Sequence, residues 1–531
     1  MTKFASRGVL IAVVLCLATP ALVQADKVSN TVTFGDRSLV STLWSPNVSV
    51  LRGVVVFTGG QGTNGKSGDT RGLVENKLYQ RFAESIGFAL LGNQFTGMYT
   101  EAANGPGQAL VDALTQFSKT TGHPELERAP VLVQGFSNGG YFSFTFAAWK
   151  PERVIAFVVN KSGFAKAQLT PEFAAVPGLL FWGSNEPPSP TVIHQLVQQG
   201  RAQHALWAEL KEWGKGHEEG DADNAIVPFL ADMVAARYPV NKTPLDADFA
   251  LFPLDEGTGW LGDHADASVA SDVPTIAKFA DYTGDKAAAS WLPNEGLAII
   301  WRAFVTKNPI TLSSPMSGAQ LDATKPVQLK ATGLTQGQRG NFFDGAQSIS
   351  SVMPQSGGAI SASWNPAWGG GRGIVAVARD SAEAIKRTSR PAAIVLYGKQ
   401  PPPGPPQPDP RVDPADAGPK DPRGGAGGAA GMMHPEAGAG GTSGMMPLDA
   451  GTDAEVVNDA AAADSGTDAD SPDEPAADGG EDRDAGKHTS QRKSEAGCSA
   501  GGPTDNGSAA FALVLALWIV SSARRRRTHV A

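Results

Sequence analysis

The stretch that most restricts what this chain can fold into is residues 130–141, PVLVQGFSNGGY. Val131, Leu132 and Val133 form a short apolar run, Gly135-Phe136-Ser137-Asn138-Gly139-Gly140 follows, and residues 142–148 (FSFTFAA) continue as an apolar segment. This is the pattern of strand, sharp turn and helix, with a serine at the apex. Gly135 and Gly139 flank Ser137 at i−2 and i+2, where a side chain would collide with the neighbouring strand or helix. Ser137 is expected in a strained backbone conformation that pushes its Oγ clear of the sheet. A glycine-rich turn alone would carry no such meaning; the strand before it and the helix after it do.

With these flanks, GFSNGG after PVLVQ resembles the α/β-hydrolase superfamily. Within it the nearest likeness is to secreted esterases of the polyhydroxybutyrate-depolymerase and feruloyl-esterase kind, over residues 32–219. The resemblance implies a mostly parallel sheet, Ser137 as nucleophile, an acid and a histidine following it in that chain order, and an oxyanion loop upstream. The loop after the apolar run 54–57 reads Thr58-Gly59-Gly60-Gln61-Gly62-Thr63-Asn64-Gly65. By position Gly60 would supply one oxyanion N–H, with Gln61 second, and Asn138 the other. Thr58 departs from the more usual His-Gly start. In the G-x-x-D slot that holds the family's acid, this chain has Glu186, within Gly183-Ser184-Asn185-Glu186. A glutamate can accept the imidazole Nδ1–H and stabilise the imidazolium. His217, in Gly214-Lys215-Gly216-His217-Glu218, follows both serine and acid and is the expected general base. His123 precedes the serine, His194 and His204 are expected on a surface helix, and Asp263-His264 is an alternative charge pair further on. No cofactor and no metal are required by such a site. An ester is favoured over a peptide because the propeller or large cap usual in the peptidase branch has no counterpart here.

The rest of the chain is read in order. Residues 1–25 have Lys3 and Arg7, an apolar run and Val23-Gln24-Ala25, the pattern of a secretory signal cut before Asp26. Cys16 raises the alternative of a lipoprotein, but Val13-Val14-Leu15 lacks the small residue expected before it. Segments 31–34 and 38–43 form a hairpin about Gly35-Asp36; 73–86, 107–119 and 225–237 have helical spacing; 54–57, 88–92, 154–160 and 179–183 are buried strands. Residues 206–213, LWAELKEW, alternate in a strand-like way. Residues 241–305 lack βα alternation and are rich in aromatics, which argues for a packed extension of the sheet.

From Ile310 short strands recur at regular spacing, with Asp344-Gly345 as a hairpin turn. Residues 309–398 resemble an Ig-like or fibronectin-like β-sandwich appended to a secreted enzyme as a spacer. Residues 399–496 open with PPPGPPQPDP and continue in Gly, Ala, Asp and Glu, the composition of a disordered acidic stalk. Met432-Met433-His434 and Met445-Met446 lack the further ligands a soft metal needs. Residues 497–531 combine Cys498, an apolar run over 509–520 and Arg524 to Arg527. This resembles the myxobacterial C-terminal sorting tail, which implies anchoring through Cys498 and contact with a membrane. The net charge of −9 and the lack of a basic cluster in the folding part argue against nucleic acid. The two cysteines are Cys16 and Cys498, so the folding part relies on its core alone.

Together these features describe an exported, surface-anchored serine hydrolase. Its domains would be signal peptide (1–25), α/β-hydrolase catalytic domain with extension (26–308), all-β sandwich, stalk and tail. Its partner would be a small or polymeric ester. The alternatives are a non-catalytic adhesion protein on a hydrolase scaffold, and a peptidase or polymer depolymerase.

Overall fold

The computed structural model describes residues 27–162, 167–186, 189–263 and 273–400. The expected signal peptide, His264, the bulk of the stalk, Cys498 and the sorting tail lie outside the described residues.

An eight-stranded sheet carries the architecture: β1 (Lys27–Phe34), β2 (Arg37–Trp44), β3 (Gly53–Thr58), β4 (Phe88–Phe95), β5 (Val131–Phe136), β6 (Val154–Asn160), β7 (Gly178–Gly183) and β8 (Trp207–Glu212), in the order β1-β2-β4-β3-β5-β6-β7-β8. Strand β2 pairs antiparallel with both β1 and β4, and every other pairing is parallel. The helices are α1 (Lys77–Ile86), α2 (Pro106–Thr121), α3 (Asn138–Trp149), the single turn α4 (Pro171–Ala174), α5 (Ser189–Arg201), α6 (Asp223–Arg237) and α7 (Glu295–Val305). This mixed sheet with crossover helices is the α/β-hydrolase fold.

The central strands read as unbroken apolar runs because both of their faces are covered. Val54, Val56, Val131 and Val133 point into one core with Leu110, Phe117, Phe142 and Phe146 from α2 and α3. Val55, Phe57 and Leu132 point into another with Phe82, Ile226, Leu230 and Ile300 from α1, α6 and α7. Helix α3, apolar nearly all round, is buried along most of its length, as such a helix must be. The helical spacing of 73–86 divides in two: a 3₁₀ turn (Arg71–Glu75) precedes α1. Asn76 caps α1 by accepting the N–H of Leu78 at 2.9 Å.

The expected strand over 206–213 is β8, and every one of its residues is buried, Glu209, Lys211 and Glu212 included. The polar side chains find partners inside. Glu209 bonds the Trp182 indole and His194, and Lys211 Nζ sits 3.6 Å from the centre of the Trp213 ring. The aromatic extension covers the edge of β8. It contributes β9 (Trp260–Gly262), β10 (Ile276–Lys278), β11 (Ser290–Leu292) and α7; Ser290 Oγ accepts the Glu209 N–H, and the Trp301 indole donates to its carbonyl at 2.7 Å.

The C-terminal β module, expected as an appended spacer, packs against the eight-stranded unit. Its strands are β12 (Thr311–Ser314), β13 (Gln320–Asp322), β14 (Val327–Thr332), β15 (Arg339–Asp344), β16 (Gln347–Val352), β17 (Ile360–Trp364), β18 (Gly370–Arg379), β19 (Ile385–Thr388) and β20 (Ala392–Tyr397). They form a three-stranded sheet, β12-β14-β17, and a larger one, β13-β20-β18-β15-β16 with β19 on β18. Ile374, Ala376 and Ala378 of β18 face the core between these two sheets, with Leu329 and Trp364 opposite. The alternate residues Val375 and Val377, with Val395 of β20, enter the same core as α1, α6 and α7. Gly371 and Gly373 allow the approach: a Cβ on Gly373 would stand 2.5 Å from Ile300 Cδ1, and one on Gly371 3.0 Å from Val227 Cγ1. Asn224 on α6 seals the contact by accepting the Ala393 N–H at 3.1 Å.

Candidate active site

Strand β5 ends at Phe136, and Ser137 takes φ 54° and ψ −123°, a region that side chains with a Cβ rarely enter, before α3 begins at Asn138. Such strain costs about 1–3 kcal/mol and persists only where the surroundings impose it. Here they do. A Cβ on Gly135 would lie 2.1 Å from the Gly139 carbonyl oxygen, and one on Gly139 2.0 Å from that of Thr58, so both positions exclude any larger residue. The Ser137 N–H is held by the Asn160 carbonyl at 2.8 Å.

The structure brings Ser137, His217 and Glu186 together. Ser137 Oγ lies 2.9 Å from His217 Nε2, and His217 Nδ1 bonds Glu186 Oε1. Glu186 is 6% exposed, and its second oxygen accepts the Gly183 N–H at 3.2 Å, so the longer glutamate side chain folds back over its own turn. The histidine side chain remains 40% accessible, and the Phe136 ring packs beside it with centroids 5.0 Å apart. The acid loop and the histidine loop are laced together. Asn185 N–H donates to the Lys215 carbonyl at 2.8 Å, Gly214 N–H to Ser184 Oγ at 2.8 Å, and Ser184 N–H to the Glu212 carbonyl at 3.0 Å. Gly183 makes this possible, since a Cβ there would stand 2.4 Å from the Lys215 carbonyl oxygen.

The glycine loop after β3 abuts the serine: a Cβ on Gly60 would meet Ser137 Cβ at 2.9 Å. Tyr99 pins this loop by donating to the Gly59 carbonyl at 2.9 Å, and the Gly68 N–H donates to the Gly60 carbonyl at 2.6 Å. Gln61 stands further along, on the bridge to Ser67, and is exposed. Among the described residues no hydrogen bond takes up the N–H of Gly60, Gln61 or Asn138. Thr58, which departs from the usual loop start, ends β3 with its hydroxyl buried. It faces a cavity of about 150 Å³ behind the elbow, lined also by Tyr79, Gln134, Asn160 and Asp223. Thr58 Oγ1, Gln134 Nε2 and Asn160 Oδ1 are buried there without a protein partner, which marks the cavity as polar. Burial raises the Asp223 carboxyl above its ordinary range, opposed by the hydrogen bond from the Tyr79 hydroxyl at 2.6 Å.

The competing histidines are tied elsewhere, each to a glutamate at 2.8 Å: His123 to Glu125, His194 to Glu209, and His204, past the end of α5, to Glu256. Asp263 accepts from the Tyr282 hydroxyl at 2.8 Å, and no described contact links it to Ser137. Among the described residues no group of three or more His, Cys, Asp or Glu could hold a metal, and no helix is long and apolar enough to cross a membrane. Sequence reasoning missed the supports of this site: Tyr99 under the glycine loop, Phe136 beside the imidazole, and the polar residues Asn160, Lys161 and Glu212 below the histidine loop. The one signal for the last group was the abrupt Asn-Lys-Ser ending of an otherwise apolar strand.

No family model matches the chain, and no curated protein matches it. Solved structures do. A predicted CIB-like hydrolase of Thermoplasma acidophilum is 15% identical, with 36% of this chain and 90% of that one covered and a TM-score of 0.26. The fluorophosphonate-binding serine hydrolase FphF of Staphylococcus aureus is 13% identical, with 38% and 95% covered and a TM-score of 0.28. The chain is also similar to the fibronectin(III)-like modules of CbhA from Clostridium thermocellum, at 21% identity, 17% and 45% coverage and a TM-score of 0.14. The residues around Ser137, rather than these likenesses, carry the chemistry.

Proposed function

We propose that this protein is a serine hydrolase that cleaves carboxylic esters through an acyl-enzyme. The observation that carries the reading is the 2.9 Å contact between His217 Nε2 and the Oγ of a serine held at φ 54°. Neutral His217 takes the Ser137 proton as Oγ attacks the carbonyl carbon, and the same proton then passes to the leaving alkoxide as the C–O bond breaks. Water repeats the sequence on the acyl-enzyme: His217 takes its proton, and Ser137 leaves with that proton restored. Glu186 fixes the tautomer with Nδ1–H toward itself and stabilises the imidazolium. The N–H groups of Asn138 and Gly60 hold the oxyanion, and each such donor is worth about 3 kcal/mol in the transition state.

An ester is the preferred substrate because an alkoxide leaves more readily than an amide nitrogen, and the half-accessible imidazole sits in an open site. Export and surface anchoring through Cys498 belong to the same proposal and rest on the two termini of the sequence alone; cell fractionation of the full chain tests them. The direct test of the chemistry is a fluorophosphonate probe with p-nitrophenyl acetate turnover. Wild type should be labelled and active, and Ser137→Ala neither, with the same thermal melt. A wild-type protein that is folded, unlabelled and inert on esters would refute the reading.

A further inference from the structure

Beneath the histidine loop lies a charged cluster that the proposed chemistry does not use. Lys161 follows the last residue of β6 with φ 55°, a left-handed conformation that a lysine adopts only when its surroundings demand it. Its side chain is fully buried. Nζ donates to Glu212 Oε2 at 2.6 Å and also to the Glu218 carbonyl, one residue past His217. The other oxygen of Glu212, itself buried at the end of β8, accepts the Asp221 N–H at 2.6 Å. Next to Lys161, Asn160 donates from Nδ2 to the Glu219 carbonyl at 3.0 Å, while its own carbonyl holds the Ser137 N–H at 2.8 Å. Gly220, with φ 63°, completes the seat: a Cβ there would stand 2.2 Å from Glu212 Oε2 and 2.6 Å from Lys161 Nζ. From the β module, Arg390 interacts favourably with both Glu212 and Asp221.

We infer that Lys161 and Glu212 are positioning residues for the reaction proposed above: a buried strut that sets the height of His217 over Ser137. The inference rests on that reading. The end of β6 grips the nucleophile's backbone on one side and the carbonyls of Glu218 and Glu219 in the histidine loop on the other, while Glu212 at the end of β8 holds the Asp221 N–H. No described contact links Lys161 or Glu212 to the side chains of Ser137, His217 or Glu186, so both act through the backbone. A buried ion pair is a poor source of stability compared with an apolar pair of equal volume. What an ammonium supplies here, and a methyl group would not, is several directed donors converging on a carboxylate and a backbone carbonyl.

The test uses the full chain with Lys161→Met, Glu212→Gln, the double variant and Lys161→Arg. For each, the thermal midpoint is read by circular dichroism, the fluorophosphonate labelling rate by quenched time course, and kcat and KM on p-nitrophenyl acetate. Each single change leaves a buried group unpaired and lowers the midpoint. The double variant, with no unmatched charge, should recover most of it. Its kcat and labelling rate should nonetheless stay down by about 10²-fold, the scale on which a displacement near 1 Å is felt, with KM changed by less than about threefold. Lys161→Arg should regain part of kcat, because a guanidinium still donates to both acceptors. A double variant with wild-type kcat and labelling, or variants whose kcat merely follows their midpoints, would overturn the strut while leaving the serine hydrolase standing. A folded wild type that the probe does not label would remove the reaction itself, and the strut with it.

Discussion

Consider cutting the chain after Lys307, before the first strand of the β module. If that module were an appended spacer, the eight-stranded part would fold without it. The shared core argues otherwise. On the hydrolase side the cut uncovers Phe82, Val227 and Ile300, which are 0%, 0% and 3% exposed in the intact protein and face Gly371 and Gly373 of β18. Fully burying a side chain of this size is worth about 1.5–3 kcal/mol, so three of them amount to roughly 5–9 kcal/mol. The Asn224 contact with Ala393 and the Arg390 contact with the Phe304 carbonyl go as well. Against a typical net stability of about 5–15 kcal/mol, that loss is comparable with the whole. At about 2–4 °C per kcal/mol for a unit of this size, the midpoint should fall by at least about 10–20 °C. Differential scanning calorimetry of residues 27–307 beside residues 27–400 reads this directly. The longer piece should melt in one transition, and the shorter should melt far lower or show no cooperative transition. Gly373→Val in the longer piece gives a graded version, since its Cβ would meet Ile300 at 2.5 Å; overpacking of this kind costs about 1–3 kcal/mol. A 27–307 piece melting within a few degrees of the longer one would refute the single shared core.

Two further outcomes follow from the structure. Glu186→Gln keeps an acceptor for the Gly183 N–H but can present an amide N–H to His217 and so select the wrong tautomer. Turnover of p-nitrophenyl acetate should fall by about 10³–10⁴-fold with KM little changed, and a loss under tenfold would remove Glu186 from the site. At the module interface, burial raises the Asp232 carboxyl, with the Asn294 hydrogen bond and the Arg372 charge pulling the other way; burial likewise raises Asp344, with Arg372 opposing. A carboxyl raised in the folded state binds its proton more tightly there than in the unfolded chain. Its contribution to stability is therefore present at low pH and lost as pH climbs from the ordinary aspartate value, near about 4, through the raised one. Asp232→Asn should flatten the fall in urea midpoint between pH 4 and 7, and unchanged slopes would show that this carboxyl does not titrate with folding.

Much of the eight-stranded sheet could be read from the chain because parallel strands covered on both faces leave long apolar runs, as in Val54 to Phe57 and residues 154–160. The elbow could be read because Gly135 and Gly139 have nowhere to put a side chain. The full burial of β8 was not legible, because its alternating polar side chains, Glu209, Lys211 and Glu212, find partners inside rather than in water. Lys161 was illegible because its meaning lies in a backbone twist and in a loop some fifty residues away, at Glu212 to Asp221. The docking of the module did leave a trace, in the unbroken run from Ile374 to Ala378. A half-buried sandwich strand would have alternated there.

The lacing of the acid loop to the histidine loop divides the surroundings of Ser137 into a part that heredity can scarcely touch and a part it can. Insert one residue between Gly214 and Glu218, and the bonds from Asn185 to Lys215 and from Lys161 to Glu218 fall out of step together, taking His217 with them. Insert one near Thr63 or Met98 instead, in the exposed turns joined by the Gly97 contact with Gly65, and neither loop is disturbed. A lineage of such proteins would drift at that second rim while its first rim stood still. A laboratory seeking new substrates would do well to randomise residues 62–66 and 97–98 before any position between 183 and 221.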